Sequence, residues 1–252
     1  MKSKVMTMKG IMRRAALPVL AAGMLLAVGC TKPVSYSSFV LTPSIRDASG
    51  AKTTWSANGL FWSAGGDVVS INGNMHRVVH GGGTEWHTEG VQTGALADGN
   101  FYIASPATSG AWSEGSRTFG PVSFDGDNVP LACVGKTNKL TLYPCCAVLK
   151  VQGLTNNVVV ELYTDENLVD TVEVPMRGTI DIVGRRITGG SGYTNMLEGT
   201  VSGGDTYFVI PMTGNSVSAA LLIYDDDGNE GNTNAAYTLN KGTLYTIDPA
   251  DF

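Results

Sequence analysis

Charge is scarce in this 252-residue chain: Asp, Glu, Lys and Arg make up 15% of it, against about a quarter in ordinary soluble domains. Also missing is any window of a dozen residues beyond Tyr36 in which apolar positions recur at helical spacing, which excludes a helical bundle. No apolar run reaches the roughly 20 residues that a membrane-spanning helix needs. Cysteine is rare, with four residues in all, and the three after Cys30 (Cys133, Cys145 and Cys146) are an odd number that cannot close a disulfide framework. Two of them are adjacent, and on a strand adjacent side chains point to opposite faces. None forms a C-x-x-C pair, so a zinc or redox site lacks its spacing. These thiols are expected to pack as small apolar groups.

What the chain does have is 32 glycines, 10 prolines and 43% apolar residues, with a mean hydropathy of +0.05. That is too apolar for a disordered protein and suits many short strands joined by turns. Short apolar periods of strand type lie at 36–42, 67–72, 75–80, 101–104, 118–124 and 139–142. Further ones lie at 147–151, 158–163, 168–174, 179–183, 207–210, 219–224, 237–239 and 244–248. Asn72-Gly73-Asn74, Asp98-Gly99-Asn100, Asp125-Gly126-Asp127 and Asp227-Gly228-Asn229 offer the positive φ angles that hairpins require. About fourteen strands exceed one seven-to-nine-strand sandwich, so two β-sandwich domains of about 100 residues each are expected. The polar stretch Gly135-Lys136-Thr137-Asn138 is the expected join, giving domains at 38–136 and 137–252.

The first 29 residues read as an export signal. Lys2, Lys4, Lys9, Arg13 and Arg14 precede the apolar run Ala15 to Val28, and Ala27-Val28-Gly29-Cys30 resembles a bacterial lipobox. The mature chain is therefore expected to begin at Cys30, acylated there, with 30–37 as a tether and the remainder outside the cytoplasm. Removing those five cations from 17 Lys and Arg leaves 12 against 22 Asp and Glu, or −10. Such a surface repels nucleic acid.

Candidate chemistry is thin. His76, His80 and His87 lie close in sequence beside Glu85 and Glu89, but on a strand His76 and His80 are about 13 Å apart, too far for one ion. No metal site is expected there. The run Asp225-Asp226-Asp227-Gly228-Asn229-Glu230 fails as an EF-hand loop, because aligning its glycine puts Ile223 at the first ligand position. A hairpin turn with solvated carboxylates is expected instead. Ser191 in Gly189-Gly190-Ser191-Gly192 is not a nucleophile elbow, and those glycines read as a flexible loop. Trp55, Trp62, Trp86 and Trp112 could stack on sugars if exposed, or else fill a core. No catalytic residue, metal or cofactor is assigned.

Several fragments in order resemble the fimbrillin family, the lipoprotein pilins of type V pili and their relatives: WSAGGDVVSING (Trp62 to Gly73), FYIASPA (Phe101 to Ala107), LTLYPCCAVLKVQG (Leu140 to Gly153), TYFVIPM and NKGTLYTID. The resemblance implies two transthyretin-like β-sandwiches, matching the strand count. It also implies export as a lipoprotein, proteolytic removal of an N-terminal strand, and assembly by insertion of a neighbour's strand. The family's cut follows Arg or Lys in the loop after the first strand, and Arg46, after YSSFVLT and Pro43-Ser44, is the matching position. In that strand Phe39 and Leu41 are expected to face a core, with Tyr36, Ser38, Val40 and Thr42 on the other side.

The expectation is an all-β, two-domain lipoprotein on the outer membrane, structural or adhesive and not an enzyme. Its expected partners are other pilin-type subunits through strand addition, the membrane through its lipid, and a host protein or glycan. The alternatives are a carbohydrate-binding surface lipoprotein using Trp62, Trp86 or Trp112, and an exported hydrolase.

Overall fold

The computed structural model describes residues 35–248 apart from 37, 44, 48–51, 54–67, 83–84, 90–92, 125–128, 153–157, 200–204, 226, 229 and 233–235. Residues Pro33–Phe252 form one compact unit. Among the described residues every regular element is a strand. The first thirteen are β1 (Ser35–Tyr36), β2 (Val40–Pro43), β3 (Ile45–Asp47), β4 (Lys52–Thr53), β5 (Val68–Ile71), β6 (Asn74–Gly82), β7 (Glu85–Thr88), β8 (Thr93–Gly94), β9 (Phe101–Ser105), β10 (Trp112–Ser113), β11 (Thr118–Ser123), β12 (Leu131–Gly135) and β13 (Lys139–Pro144). They are followed by β14 (Cys146–Gln152), β15 (Val158–Tyr163), β16 (Val174–Asp181), β17 (Arg186–Thr194), β18 (Met196–Gly199), β19 (Asp205–Pro211), β20 (Ser216–Asp225), β21 (Glu230–Asn232), β22 (Tyr237–Asn240) and β23 (Thr243–Ile247).

Seven strands close a barrel in the order β12-β13-β2-β7-β6-β5-β9. A second sheet runs β19-β14-β23-β3-β4, a third β18-β15-β20-β21 with β22 also paired to β20, and a fourth β10-β11-β16-β17. The layers follow from two strands that are apolar at successive positions. Along β14, Cys146 and Val148 enter the barrel core, while Ala147, Leu149 and Val151 enter a second core against β15 and β20. Along β9, Phe101 and Ile103 face the barrel interior, while Tyr102 and Ala104 face a third cluster under β11 and β16. Strands covered on both faces read as continuous hydrophobic runs rather than alternating ones. The architecture is thus sandwich-like, with one of its layers closed into a barrel.

Local chemistry sets the turns. Asn72 and Gly73 both take positive φ, 50° and 85°, the pair that a two-residue type I′ hairpin needs. Asn72 Oδ1 also accepts from the Tyr102 amide at 2.8 Å, tying that turn to β9.

Three expectations are corrected. The strand expected at 168–174 is absent up to Val174, where β16 begins: Asp165 side-chain and backbone oxygens bond the Asn167 and Leu168 amides, making a turn, and Thr171 makes an isolated bridge to Tyr163. Gly189-Gly190-Ser191-Gly192 is not a flexible loop but lies within β17. There Arg177 pairs with Ser191, and a register shift between Arg177 and Thr179 coincides with Gly189 at φ 60°. The Gly135–Asn138 stretch joins β12 to β13, which pair with one another, so Leu140 and Leu142 beyond it belong to the same core as Leu131.

Candidate strand-exchange site

β2 occupies a slot one strand wide. On one side it pairs in parallel with β13, Leu140 opposite Leu41. On the other it pairs antiparallel with β7, Trp86 opposite Leu41. Phe39 and Leu41 are fully buried, whereas Val40 is half-buried and Thr42 exposed. The expected alternation holds for these residues, but the strand breaks after Tyr36. β1 pairs with β8 instead, and the Tyr36 ring packs 5.7 Å from both Phe39 and Phe101. Phe39 meets Phe101 edge-on at 4.9 Å.

Polar groups clamp the entry to the slot. The Phe39 amide donates to Thr88 Oγ1 at 2.9 Å, and the Thr88 amide donates to the Phe39 carbonyl at 3.0 Å. Ser38 Oγ donates to the Thr88 carbonyl at 3.1 Å, and Asn138 Nδ2 donates to the Ser38 carbonyl at 3.2 Å. Thr88 is itself buried, so withdrawing β2 leaves its hydroxyl and backbone unpaired, at about 1–3 kcal/mol for each buried polar group. Thr88 and Asn138 were not singled out in the sequence. Their partners lie 50 and 100 residues away, a separation that no local pattern reveals.

Arg46 falls in β3 rather than in a loop. Its backbone pairs with Thr243 of β23 and with Lys52 of β4. A protease that binds an extended segment would need β3 to leave both neighbours first. Cys30, Trp55 and Trp62 lie outside the described residues.

The other candidates are dispersed. His76 is buried in the barrel wall, where burial lowers its pKa, and its ring lies 6.4 Å from Phe39. His87 is on β7, half-buried. Among the described residues no three His, Cys, Asp or Glu side chains are grouped to hold a metal ion. Cys133, Cys145 and Cys146 are free and buried. Burial pushes the Cys133 thiol up to about 11, the Cys145 thiol to about 12 and the Cys146 thiol well above its ordinary value. Cys145 faces the third cluster and Cys146 the barrel, the opposed orientation expected of neighbours on extended chain.

Trp86 is 2% exposed in the barrel core and cannot stack on a sugar. Trp112 is half-buried, with its ring against the hairpin at Gly73 and 6.2 Å from Tyr102. Of the acidic run, Asp227 and Gly228 follow β20 in a turn, with Gly228 at φ 80°, and Asp226 and Asn229 lie outside the described residues. Asp225 is not solvated: it is buried and accepts from the Asp227 amide at 3.0 Å.

Compared with protein-family models the sequence matches none, and no curated protein matches it. Among the solved structures similar to the chain are two. One is described as a "putative cell adhesion protein" from Bacteroides uniformis, at 15% identity and a TM-score of 0.46, covering 84% of this chain and 92% of that one. The other is the tip fimbrial protein Mfa3 from Porphyromonas gingivalis, at 10% identity and a TM-score of 0.37, covering 84% and 94%.

Proposed function

We propose that the protein is a lipid-anchored, fimbrillin-like structural protein of the bacterial surface, acting in adhesion and pilus assembly rather than catalysis. The observation that carries this reading is β2. A segment near the mature N-terminus is bonded on both edges and supplies two fully buried side chains to the barrel. Removing it would leave β13 and β7 about 10 Å apart, at twice the usual strand spacing, with two rows of unpaired backbone groups between them. Such a slot takes another extended strand: backbone hydrogen bonds give affinity, and alternate side chains fill the Phe39 and Leu41 pockets. The sequence resemblance supplies the same order of events, with Cys30 as the lipid attachment site and Arg46 as the processing position. Outer-membrane anchoring, pilin-type partners and a host protein or glycan ligand belong to this reading.

The test is cleavage with a trypsin-like protease at Arg46, compared with Arg46→Ala. The cleaved protein should lose residues 30–46, bind a YSSFVLT peptide and form higher-order species, while Arg46→Ala stays intact and indifferent to peptide. A cleaved product that neither binds peptide nor assembles would sink strand exchange. Intact mass of the surface-isolated protein, set beside Cys30→Ala, reads the lipid directly.

A further inference from the structure

In a chain whose mature charge is −10, three cations converge around the turn between β16 and β17. Arg185, exposed at the turn between β16 and β17, lays its guanidinium 3.9 Å above the centre of the Tyr143 ring. Lys241, in the turn between β22 and β23, sends its Nζ across to the Gly184 carbonyl at 3.2 Å. Arg186 sits beside them and bonds Asp181 at 3.1 Å. Among the described residues no carboxylate pairs with Arg185 or Lys241. Their direct contacts are a ring face and a carbonyl oxygen, and the Asp181 carboxylate, whose charge also reaches Lys241, is already bonded to Arg186. Burial, together with the neighbouring Arg185 and Arg186, holds the Lys241 ammonium below its ordinary range. A carboxylate brought in by a partner would relieve that repulsion.

The same chain carries the complement at the other end of β20. Lys241 is tied to the start of that strand, its amide donating to the Asn215 carbonyl at 2.8 Å, and Ser216 pairs with Asn240. Ten residues on, roughly 30 Å at strand rise, β20 ends at Asp225 and turns through exposed Asp227 to exposed Glu230.

We infer that the Arg185–Lys241 end of one copy docks the Asp227–Glu230 turn of a second copy, head to tail. Two different patches meeting in this way make a heterologous contact, which propagates as an open filament instead of closing into a dimer. Opposed charges fix register and exclude wrong orientations more than they add affinity. The contact would align subunits along the filament axis and needs no proteolytic cut, so it goes beyond strand exchange.

The test uses the mature full chain carrying Arg46→Ala, which keeps β2 in place and separates this contact from strand exchange. At physiological ionic strength the screening length is about 8 Å, so only charges at close range count. Sedimentation over a concentration series should show reversible association. Arg185→Glu/Lys241→Glu should weaken it at least about tenfold, and so should Asp227→Lys/Glu230→Lys on the opposite, exposed end. An equimolar mixture of the two reversed chains should associate again, because each offers the end that the other has lost. The acidic-end variant keeps the test valid if the basic-end variant misfolds. A chain that stays monomeric, or variants that associate as the parent does, would overturn the proposal. So would a monomer that binds heparin through Arg185 and Lys241, which would make the patch a site for an anionic glycan.

Discussion

The two large cores are built from different reaches of the chain. Among the described residues, the second draws its buried side chains from Ala147 to Ile247, one continuous stretch. The barrel core needs both ends: Phe39 and Leu41 enter from the N-terminal side, and Val209 and Leu244 reach back from the far half. A core sealed by a terminal segment can be opened by removing that segment, whereas a core sealed by its own hairpins opens only by unfolding. The contrast teaches that which core a single segment closes is a property of connectivity. The barrel core includes Phe39 and Leu41 from the N-terminal side of the chain, and the described residues of the second core include none from there.

The largest expected effect sharpens that contrast. Phe39→Ala should destabilise the protein by about 3–5 kcal/mol and Leu221→Ala, in the second core, by about 2–5 kcal/mol, both read by urea unfolding. Only the Phe39 variant should gain affinity for a YSSFVLT peptide, whose binding would restore stability by mass action. Equal peptide binding by both variants would erase the distinction.

Thiol chemistry probes the same difference. Intact protein should resist thiol reagents. Release of β2 should make Cys133 and Cys146, which face the barrel, react before Cys145. The sign of the pH dependence follows from the raised thiols. Unfolded cysteines ionise near 9, whereas folded Cys133 and Cys145 hold their protons to about 11 and about 12. Their contribution to stability is complete below pH 9 and falls away as pH rises toward those values. Urea midpoints should therefore drop between pH 9 and 12, and Cys133→Ala with Cys145→Ala should flatten that drop. An unchanged slope would mean that the buried thiols do not govern it.

A smaller effect lies in the β5–β6 hairpin of the barrel. Gly73→Ala asks a side chain to adopt φ 85° and to place its Cβ 2.5 Å from Trp112 Cδ1. A loss of about 1–3 kcal/mol is expected, with the melting temperature as the readout. Smallest is Asp181→Asn, which removes the ion pair to the half-exposed Arg186. Its cost should stay within about 1 kcal/mol, and a larger loss would mark that turn as more than a solvated bridge.

Much of this was legible in local pattern. Alternation at Phe39 and Leu41, the Asn72-Gly73 turn and the span 158–163 are read from residues within a few positions of each other. β7 and β17 escaped because Glu85–Thr88 carries two charged or imidazole-bearing residues, and because the glycines of 189–192 mimic a loop. β17 forms nonetheless, since β16 offers a partner edge and a bulge absorbs the misfit. The Ser38–Thr88–Asn138 clamp had no signal, because its members meet only after the barrel closes.

The sequence by itself determined the all-β class, the turns at Asn72-Gly73 and Asp98-Gly99 and which face of β2 is apolar, because side-chain period and backbone preference act over neighbouring residues. Only the tertiary structure decided that β2 lies between β13 and β7, that β9 and β14 are covered on both faces, and that the turn carrying Lys241 reaches the turn carrying Arg185. Ladder hydrogen bonds come from backbone groups that nearly every residue carries, so the choice of neighbour depends on how the whole set of apolar faces can be buried at once.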